Sequence, residues 1–364
     1  MSLAKNITRM PVPHDPDRGR EAVETVGLVP GAFADLVCGA AGSSPYLSDL
    51  FRKEADWIAD AALAVPETVR TALVGSVKGL EASTLSVDLR RLKRRVALYT
   101  ALADLGGIWT LEDVTTTLTD FAVAAVDRAL VAAITNEIRR GKLPGQTEDD
   151  ISTAGGLSVL AMGKMGAGEL NYSSDIDLIC LFDETRFDPN DYADARSSFV
   201  RAIRRMTQTL SERTADGYVF RTDLRLRPDA SVTPVAISME AAERYYESFG
   251  RTWERAAYIK ANAVAGDCEA GQRFLEGLTP FVWRRHLDFA AIQDAHDMRL
   301  RIREHKGLHG PITLPGHNMK LGRGGIREIE FFTQTRQIIA GGRDPDLRVR
   351  GTVPGLRALA AKGW

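Results

Sequence analysis

The N-terminal region carries the hydrophobic spacing of amphipathic helices. From about residue 20 to residue 141, apolar residues recur every three to five positions, which places them on one face of a helix. The spacing is clearest from Leu85 to Leu105 and in the stretch that follows Thr110. Thr110 stands three residues before Asp113, in the order of a capping box, so a helix should begin there. The pattern predicts a region of packed antiparallel helices.

The pattern changes after a polar stretch, Gly141–Gly156, whose Pro and Gly residues predict a domain boundary. Short apolar runs at Leu157–Met162 and Ile176–Phe182 predict two strands with a glycine-rich loop between them. A helix is expected over Asp191–Thr214. The segment Tyr218–Arg227 alternates with period two and predicts a further strand, so this part resembles a small α/β unit.

These patterns predict a mostly helical α+β fold, in which a small β-sheet core is flanked by helical regions. The expected domains are a poorly ordered, Pro- and charge-rich segment 1–20, a helical region 21–150, the sheet-bearing core 151–237 and a helical region 238–364. The last of these ends within a predicted helix. We therefore expect the chain to be one part of a longer protein.

Composition narrows the class of protein. The chain is 44% hydrophobic and 26% charged, which is typical of a globular protein with a sizeable core. Its formal net charge of −1 disfavours a partner such as long nucleic acid, which is usually bound by a strong basic excess. The cysteines are few and far apart, which indicates a reducing compartment. Without a membrane-spanning run or a signal peptide pattern, the expected location is the cytoplasm.

The segment "GKMGAGELNYSSDIDLICLFD", residues 163–183, carries the candidate chemistry. Asp175 and Asp177 stand two apart at the start of an apolar strand, so both carboxylates should project from one face. Such a pair suits Mg²⁺ or Mn²⁺ together with phosphates. An isolated Asp-x-Asp is more often a solvated or capping pair, but here a glycine-rich loop precedes the strand and lets the backbone approach a phosphate. The nucleotide- and phosphate-binding candidates of this loop are Gly163, Lys164, Gly166, Ser173 and Ser174.

A third acid lies on the strand predicted over residues 218–227. In "YVFRTDLRLRP", Asp223 alternates with arginines on one face. The functional interpretation makes Asp223 the third member of a metal triad, with Arg225 and Arg227 holding phosphate oxygens through their guanidinium forks. The alternative is an exposed sheet face with several ion pairs.

A basic, glycine-rich segment, "HNMKLGRGGIREIEF", precedes a predicted helix near the C-terminus. Lys320 and Arg327 would bring positive charge to the start of that helix, where backbone N–H groups also favour an anion such as an attacking phosphate. The alternative is a basic loop that caps the helix. Glu328 and Glu330 are two residues apart, so on a helix they would not form a metal pair.

Several long motifs together resemble the glutamine synthetase adenylyltransferase family, within the nucleotidyltransferase superfamily. They are "GKMGAGELNYSSDIDL", "VFRTDLRLRPDA", "GRTWERAAYIKANAVAGD", "RRHLDFA" and "KLGRGGIREIEFFTQTRQIIAGGRDPDLR". The resemblance begins near residue 25 and is strongest from Gly156 to Arg350. It departs at Lys260-Ala261-Asn262, where the family pattern has Lys-Ala-Arg, so an arginine role at Asn262 is not carried over.

The resemblance implies a nucleotidyltransferase-like core and one of two homologous catalytic halves. One half of such enzymes attaches AMP to a tyrosine of glutamine synthetase, and the other removes it by phosphorolysis and releases ADP. The helical lead-in and the "GGIREIEF" segment resemble the N-terminal, adenylyl-removing half. The implied partners are adenylylated glutamine synthetase, inorganic phosphate, a nucleotide and a PII nitrogen signalling protein. Two alternatives stay open: the AMP-attaching half, and an idle regulatory domain that binds a nucleotide or PII.

Overall fold

A computed structural model describes residues 1–285 and 314–364 of the chain. The chain divides into two compact units and passes between them several times. The first unit comprises residues 1–155, 168–176 and 193–223, and the second comprises residues 156–167, 177–192 and 224–364. The predicted domains are contiguous, whereas each unit is assembled from separate segments. The domain limits at residues 150 and 237 therefore stay a prediction. Part of the predicted helical region 238–364, and most of the segment "RRHLDFA", lie outside the described residues.

The described residues form a mostly helical α+β fold, which confirms the predicted class. The helices, in chain order, are α1 (Pro16–Val26), α2 (Ala32–Ser43), α3 (Pro45–Lys53), α4 (Ala55–Ala61), α5 (Pro66–Gly75), α6 (Leu85–Leu105), α7 (Leu111–Arg139), α8 (Gly163–Gly166), α9 (Tyr192–Ser211), α10 (Met239–Phe249), α11 (Thr252–Tyr258), α12 (Cys268–Gly277), α13 (Thr279–Val282), α14 (Ile326–Ala340) and α15 (Thr352–Ala361). The strands are β1 (Leu157–Ala161), β2 (Ile176–Phe182), β3 (Thr222–Asp223), β4 (Ala236–Ser238) and β5 (Asn262–Gly266).

Helices α6 and α7 form where the apolar spacing predicts them. Helix α6 covers the predicted range, and α7 begins directly behind its N-cap, Thr110. Thr110 Oγ1 accepts the Asp113 N–H at 3.2 Å, and the Asp113 carboxylate accepts the Thr110 N–H at 3.0 Å. The predicted capping box is therefore confirmed, and it satisfies two donors that a helix start would otherwise leave without partners.

The first twenty residues differ from the poorly ordered segment that their composition predicts. Leu3 is fully buried, and its N–H donates to the Ala64 carbonyl at 3.2 Å. Helix α1 begins at Pro16, and its N-cap, Asp15, accepts the Arg18 N–H at 3.1 Å. A buried leucine and a capped helix start stabilise this segment, although its Pro-rich, charged composition gives little sign of either.

The sheet is small and mixed. Strand β1 lies between β2 and β5 and is antiparallel to both, with Leu157 opposite Phe182 in the β1–β2 pair. Strand β4 pairs with β2 in parallel. The two-residue strand β3 is the other neighbour of β2 in the sheet. At the start of β2, the Ile176 N–H donates to the Arg221 carbonyl at 2.9 Å. The predicted strands at residues 157–162 and 176–182 agree with β1 and β2 to within one residue.

The strand predicted over Tyr218–Arg227 is wrong for most of its length. Within that stretch β3 forms, and the chain then turns. The Arg227 guanidinium donates to the carbonyls of Leu224 at 2.8 Å and of Ala230 and Thr233, both at 2.9 Å. These bonds close a loop over residues 224–234. Arg227, one of the alternating arginines of the sequence, therefore stabilises a turn with its side chain.

The core of the second unit positions the segment that follows α11. Leu160 of β1 and Ile179 of β2 belong to the same buried cluster as Tyr246 and Tyr258. The Tyr258 hydroxyl donates to the Tyr246 hydroxyl at 3.1 Å. Helix α11 ends at Tyr258, so this packing fixes the start of the short connection that carries Lys260 into β5.

No helix of the described residues is long and apolar enough to cross a membrane. The three cysteines, Cys38, Cys180 and Cys268, are free thiols. Cys180 is fully buried in β2, and its burial raises the pKa of the thiol to about 12.

Candidate active site

The loop between β1 and β2 brings Asp177 against the end of β1. The Met162 N–H donates to the Asp177 carbonyl at 2.9 Å. Gly163 follows with a left-handed backbone, φ +55°, and a Cβ added there would lie 3.4 Å from Asp177 Oδ2. Glycine adopts this backbone without strain and places no side chain beside the carboxylate. The predicted close approach of backbone to ligand is therefore physically possible at Gly163.

Gly166 is required by packing. A Cβ at this position would lie 2.0 Å from the Lys260 carbonyl oxygen and 2.3 Å from the Ala161 carbonyl oxygen. These distances exclude any side chain, so Gly166 allows α8 to lie against β1 and the segment after α11. Lys164, in the same short helix, is half-buried. A phosphate-binding role for either residue stays a prediction.

Asp177 lines a cavity of about 360 Å³ in the second unit. Gly163 contributes to the same wall, and the opposite groups come from α11, the segment after it and α14. The volume lies in the range of small-molecule sites. Its charged lining consists of Asp177, Lys260, Arg327, Glu328 and Glu330, and Trp253 and Phe331 add aromatic surface. We call this cavity the Asp177 cavity.

Lys260 is the basic group of this cavity that the residue patterns did not single out. Its side chain is 3% exposed, and Nζ lies 2.7 Å from Glu330 Oε1 and 3.0 Å from Thr352 Oγ1. Burying an ammonium group is costly unless it is paired and hydrogen-bonded, and both conditions are met here. A single lysine within the apolar run "AAYIKANAV" is a signal in the sequence that could have identified it.

Helix α14 supplies Arg327, in its first turn. The guanidinium is exposed and lines the Asp177 cavity, and among the described residues it has no carboxylate partner. Glu328 caps the helix start by accepting the Gly324 N–H at 2.8 Å. The Lys320 carbonyl accepts the Arg327 N–H at 3.0 Å, but the Lys320 side chain is exposed outside the cavity lining. The part of both basic residues in binding phosphate stays a prediction.

Asp175 belongs to the first unit, and its carboxylate is paired with Arg221. Arg221 Nε donates to Asp175 Oδ1, and Nη2 donates to the Ser173 carbonyl at 2.6 Å. Nη1 donates to the Tyr218 hydroxyl at 2.7 Å. The hydrogen bond that Arg221 donates to Asp175 raises the pKa of Arg221 above its ordinary value. The sequence pattern placed Arg221 on the charged face of a strand but did not reveal this pair, because the two residues are distant in the chain.

Ser173 and Ser174 lie in the loop that Arg221 holds. Ser173 has a left-handed backbone, φ +52°, which is uncommon for a residue with a side chain and is found most often at functional sites. Both serines line a second cavity, of about 750 Å³, that lies within the first unit. We call it the Lys93 cavity, after the lysine that projects from α6. The residues predicted from one motif thus line two cavities.

The residues predicted around Asp223 belong to both units. Asp223 is half-buried in β3 of the first unit, and Arg225 is exposed in the second. Arg227 uses its guanidinium donors on backbone carbonyls of residues 224–234, including Pro234 at 3.0 Å. That arrangement engages donors that the prediction assigned to phosphate and gives Arg227 a supporting role in the loop. A phosphate-binding role for Arg227 stays a prediction.

The predicted metal ligands are distributed over both units. Asp175 and Asp223 belong to the first unit and Asp177 to the second. In residues 1–285 and 314–364, no group of three or more His, Cys, Asp or Glu side chains is gathered as a metal site requires. The convergence of the three carboxylates stays a prediction. Their chemistry fits a hard divalent cation, which prefers carboxylate oxygens.

Comparison with known families gives two matches. Residues 34–277 match the family model described as glutamate-ammonia ligase adenylyltransferase. Residues 296–364, of which the first part lies outside the described residues, match the model described as GlnD PII-uridylyltransferase.

Curated proteins similar to this chain share one name, bifunctional glutamine synthetase adenylyltransferase/adenylyl-removing enzyme. The protein of Bradyrhizobium diazoefficiens is 50% identical over 336 residues, which are 91% of this chain and 34% of that protein. The protein of Rhizobium meliloti is 48% identical over 361 residues, 96% of this chain and 36% of the relative. The chain therefore spans about a third of the length of these relatives.

Proposed function

Because the chain belongs to the glutamate-ammonia ligase adenylyltransferase family, we propose that it removes AMP from the adenylyl-tyrosine of glutamine synthetase by metal-dependent phosphorolysis, giving ADP. The name of the relatives joins both activities in a protein of which this chain spans about a third. The direction of the reaction is therefore part of the proposal. The observation that carries it is the Asp177 cavity, where Lys260 and Arg327 accompany a single predicted metal ligand.

Phosphorolysis places two anions in one site, the attacking phosphate and the adenylyl phosphate. Their mutual repulsion demands more positive charge than a metal ion supplies alone. Glu330 offsets the charge of Lys260, which Thr352 also holds in place, and Glu328 caps the start of α14. Arg327 is therefore the lining cation without a carboxylate partner among the described residues, and its guanidinium fork is of the kind that binds phosphate oxygens. Gly163 leaves the backbone accessible beside Asp177. Together these groups favour a site that binds phosphate as a second substrate.

The proposed step needs no covalent enzyme intermediate. An oxygen of hydrogen phosphate attacks the phosphorus of the adenylyl group, and the bond from that phosphorus to the tyrosine oxygen breaks. The proton of the hydrogen phosphate ends on the tyrosine oxygen, and ADP leaves. The chain's own groups position the two anions and balance their charge, which is how proteins accelerate phosphoryl transfer in general.

Adenylyltransferases of this family are generally dependent on a divalent metal. We propose Mg²⁺ or Mn²⁺, held by Asp175, Asp177 and Asp223. Gly163 places no side chain beside Asp177 Oδ2, and carboxylate oxygens are the ligands that such an ion prefers. When bound, the ion would neutralise the charge that develops on the transferred group.

We propose adenylylated glutamine synthetase as the protein partner, and a PII-type nitrogen signalling protein as a regulator. The match of residues 296–364 to a family named for its action on PII supports the second part. We also propose a cytoplasmic location, which the three free thiols support.

The test is product analysis. The chain is incubated with adenylylated glutamine synthetase and Mg²⁺, with and without inorganic phosphate, and an Asp177→Asn variant serves as the control. We expect ADP in the presence of phosphate and with the unsubstituted chain. Free AMP would indicate hydrolysis and contradict phosphorolysis.

The AMP-attaching reaction is the second candidate, because the name of the relatives includes it. AMP transfer from ATP to unmodified glutamine synthetase by this chain would favour that candidate. If the folded chain binds nucleotide but forms no product in either assay, the third hypothesis, a regulatory domain, replaces both.

A further inference from the structure

The Lys93 cavity is a second cavity with the size of a ligand site. Its volume is about 750 Å³, and its walls come from α3, α6, the loop at residues 172–174 and the segment 213–220. Small-molecule sites usually measure roughly 300–1,000 Å³. All of its lining residues belong to the first unit, whereas the Asp177 cavity belongs to the second.

The acidic side chains of this cavity are already paired. Asp49 binds Lys53 at 2.8 Å, and Asp216 binds Arg94 at 2.9 Å. Asp104 accepts the Tyr172 hydroxyl at 3.1 Å. Its negative charge and the burial of the hydroxyl raise the pKa of Tyr172. These acids are therefore poorly placed to neutralise further positive charge in the cavity.

Among the described residues, Arg90 binds backbone carbonyls and not carboxylates. Its guanidinium donates to backbone carbonyls, including Gly217 at 2.9 Å and Ser86 at 2.7 Å. Arg90 is thus fully engaged in holding the segment 213–220 against α6. It contributes positive charge to the wall but few free donors.

Lys93 and Arg213 are the basic groups of this cavity that bond neither to a carboxylate nor to a backbone carbonyl among the described residues. The Lys93 ammonium lies 4.1 Å from the ring centre of Phe220 and 5.9 Å from that of Phe121. The Arg213 guanidinium lies 5.8 Å from the ring centre of Tyr218. A ring face attracts a cation but offers no lone pair for its N–H donors. Burial lowers the pKa of Lys93 to about 8, as expected for an ammonium group without a counter-charge.

We propose that the Lys93 cavity binds a small organic anion with an aromatic body. Its carboxylate or phosphate group would accept hydrogen bonds from Lys93 and Arg213. Its ring would lie among the tyrosines of the wall, Tyr46, Tyr172 and Tyr218. The anion supplies the acceptor that the lysine lacks, and the apolar part of the wall matches a ring better than it matches free inorganic phosphate. This site is additional to the proposed phosphorolysis at the Asp177 cavity.

Isothermal titration calorimetry on the whole chain tests the proposal with three probes. Phenyl phosphate and benzoate carry the two candidate anionic groups on one ring, and phenol carries the ring without the charge. We expect at least one anionic probe to bind and phenol to bind at least about tenfold more weakly, given the usual strength of charged hydrogen bonds. The stronger of the two anions identifies the group that the cavity recognises.

Variants locate the probe. Lys93→Met should weaken binding of the anionic probe by about tenfold or more, and Lys93→Arg should retain most of it because the charge persists. Lys78→Met, which removes an exposed lysine elsewhere in the first unit, is the matched control and should bind normally. Melting curves confirm that each variant is folded.

A second pair of variants separates this proposal from the proposed function. Arg327→Met and Asp177→Asn alter the Asp177 cavity and should leave probe binding within about twofold of the unsubstituted chain. If Arg327→Met abolishes binding while Lys93→Met does not, the probe occupies the Asp177 cavity and the proposal is overturned. Absence of binding by every probe to the folded chain would also overturn it.

Discussion

The two cavities contain the same type of residue in opposite electrostatic settings. In the Asp177 cavity, the buried Lys260 ammonium contacts a carboxylate at 2.7 Å and a hydroxyl at 3.0 Å. In the Lys93 cavity, the ammonium lies against the rings of Phe220 and Phe121. Hydrogen bonds within the protein stabilise the charge of Lys260, whereas burial lowers the pKa of Lys93 to about 8.

This difference separates two uses of a cation that lines a cavity. A lysine that is already paired is rigid and keeps its charge, so it is suited to hold an anion in a fixed place next to a reacting group. A lysine without a counter-charge carries a desolvation cost that an entering anion would relieve. We therefore assign the proposed chemistry to the first arrangement and the proposed ligand recognition to the second.

The largest expected effect is a loss of catalytic activity when the Asp177 cavity, where we propose the reaction, is altered. Asp177→Asn should reduce the deadenylylation rate by about a thousandfold or more, because a neutral amide cannot replace a carboxylate on a divalent cation. The melting temperature should change little, since Asp177 is half-buried and its carboxylate faces a cavity. Initial rates of ADP release measure the effect, and Asp194→Asn, on the exposed face of α9, is the matched control.

Near-normal rates with Asp177→Asn would contradict the assignment of Asp177 as a metal ligand. The same measurement on Asp175→Asn also tests the loop that Arg221 holds. That variant also weakens the contact with Arg221, so a loss of activity there should be accompanied by greater mobility of the loop at residues 173–175.

The second prediction concerns the stability of the Asp177 cavity. Lys260→Met should lower the free energy of unfolding by about 2–3 kcal/mol, because it leaves Glu330 without its ion-pair partner. The Glu330 side chain is 28% exposed, so solvent screening keeps the loss below that of a fully buried pair. Guanidinium chloride titration measures it.

A double variant checks the cause. Lys260→Met combined with Glu330→Gln removes the unpaired charge and should recover part of the stability lost in the single variant. If adding Glu330→Gln lowers the free energy of unfolding further than Lys260→Met alone, the unpaired charge of Glu330 is not the source of the lost stability.

The third prediction has the opposite sign. Lys93→Met should raise the free energy of unfolding at pH 7 by about 1–2 kcal/mol. The lowering of the pKa from 10.5 to about 8 sets an upper limit of about 3 kcal/mol, and the lost ring contacts reduce it. Between these two pKa values the unfolded chain binds more protons than the folded chain, so the stability of the unsubstituted protein rises with pH in that window.

The advantage of Lys93→Met should therefore be complete below about pH 8 and absent above about pH 10.5. Unfolding titrations at pH 7 and pH 10 measure the change, with Lys78→Met as the control. A destabilised variant at pH 7 would show that the lysine is compensated within the folded protein, and the contrast with Lys260 would then fail.

The sequence predicted the elements whose signals are local. Helix α6, helix α7 with its capping box, and strand β2 follow from apolar spacing and a cap within a few residues of each other. The glycine-rich loop was also recognisable from its clustered glycines, and Gly163 adopts the left-handed backbone that glycine favours. Local propensity and tertiary structure agree in these segments.

The remaining features depend on residues that are distant in the chain. The strand predicted over residues 218–227 failed because the Arg227 side chain binds the carbonyls of a turn, which alternation cannot reveal. The pair between Asp175 and Arg221 requires the register of β3 against the start of β2. The contact between Lys260 and Glu330 joins residues 70 positions apart. Such pairs are set by the fold and leave no period in the sequence.

The smallest expected effect compares one helix cap in each unit. Thr110→Ala should lower the free energy of unfolding by about 1 kcal/mol, because it removes the hydroxyl that accepts the Asp113 N–H and ends the reciprocal arrangement. Ser238→Ala, at the start of α10, removes a single bond from the Ala241 N–H at 3.3 Å and should cost about half as much. Unfolding titrations of both variants under the same conditions measure the difference. Equal losses would mean that the Asp113 carboxylate retains its own bond to the Thr110 N–H after the substitution, and that the reciprocal pair adds nothing to a simple cap.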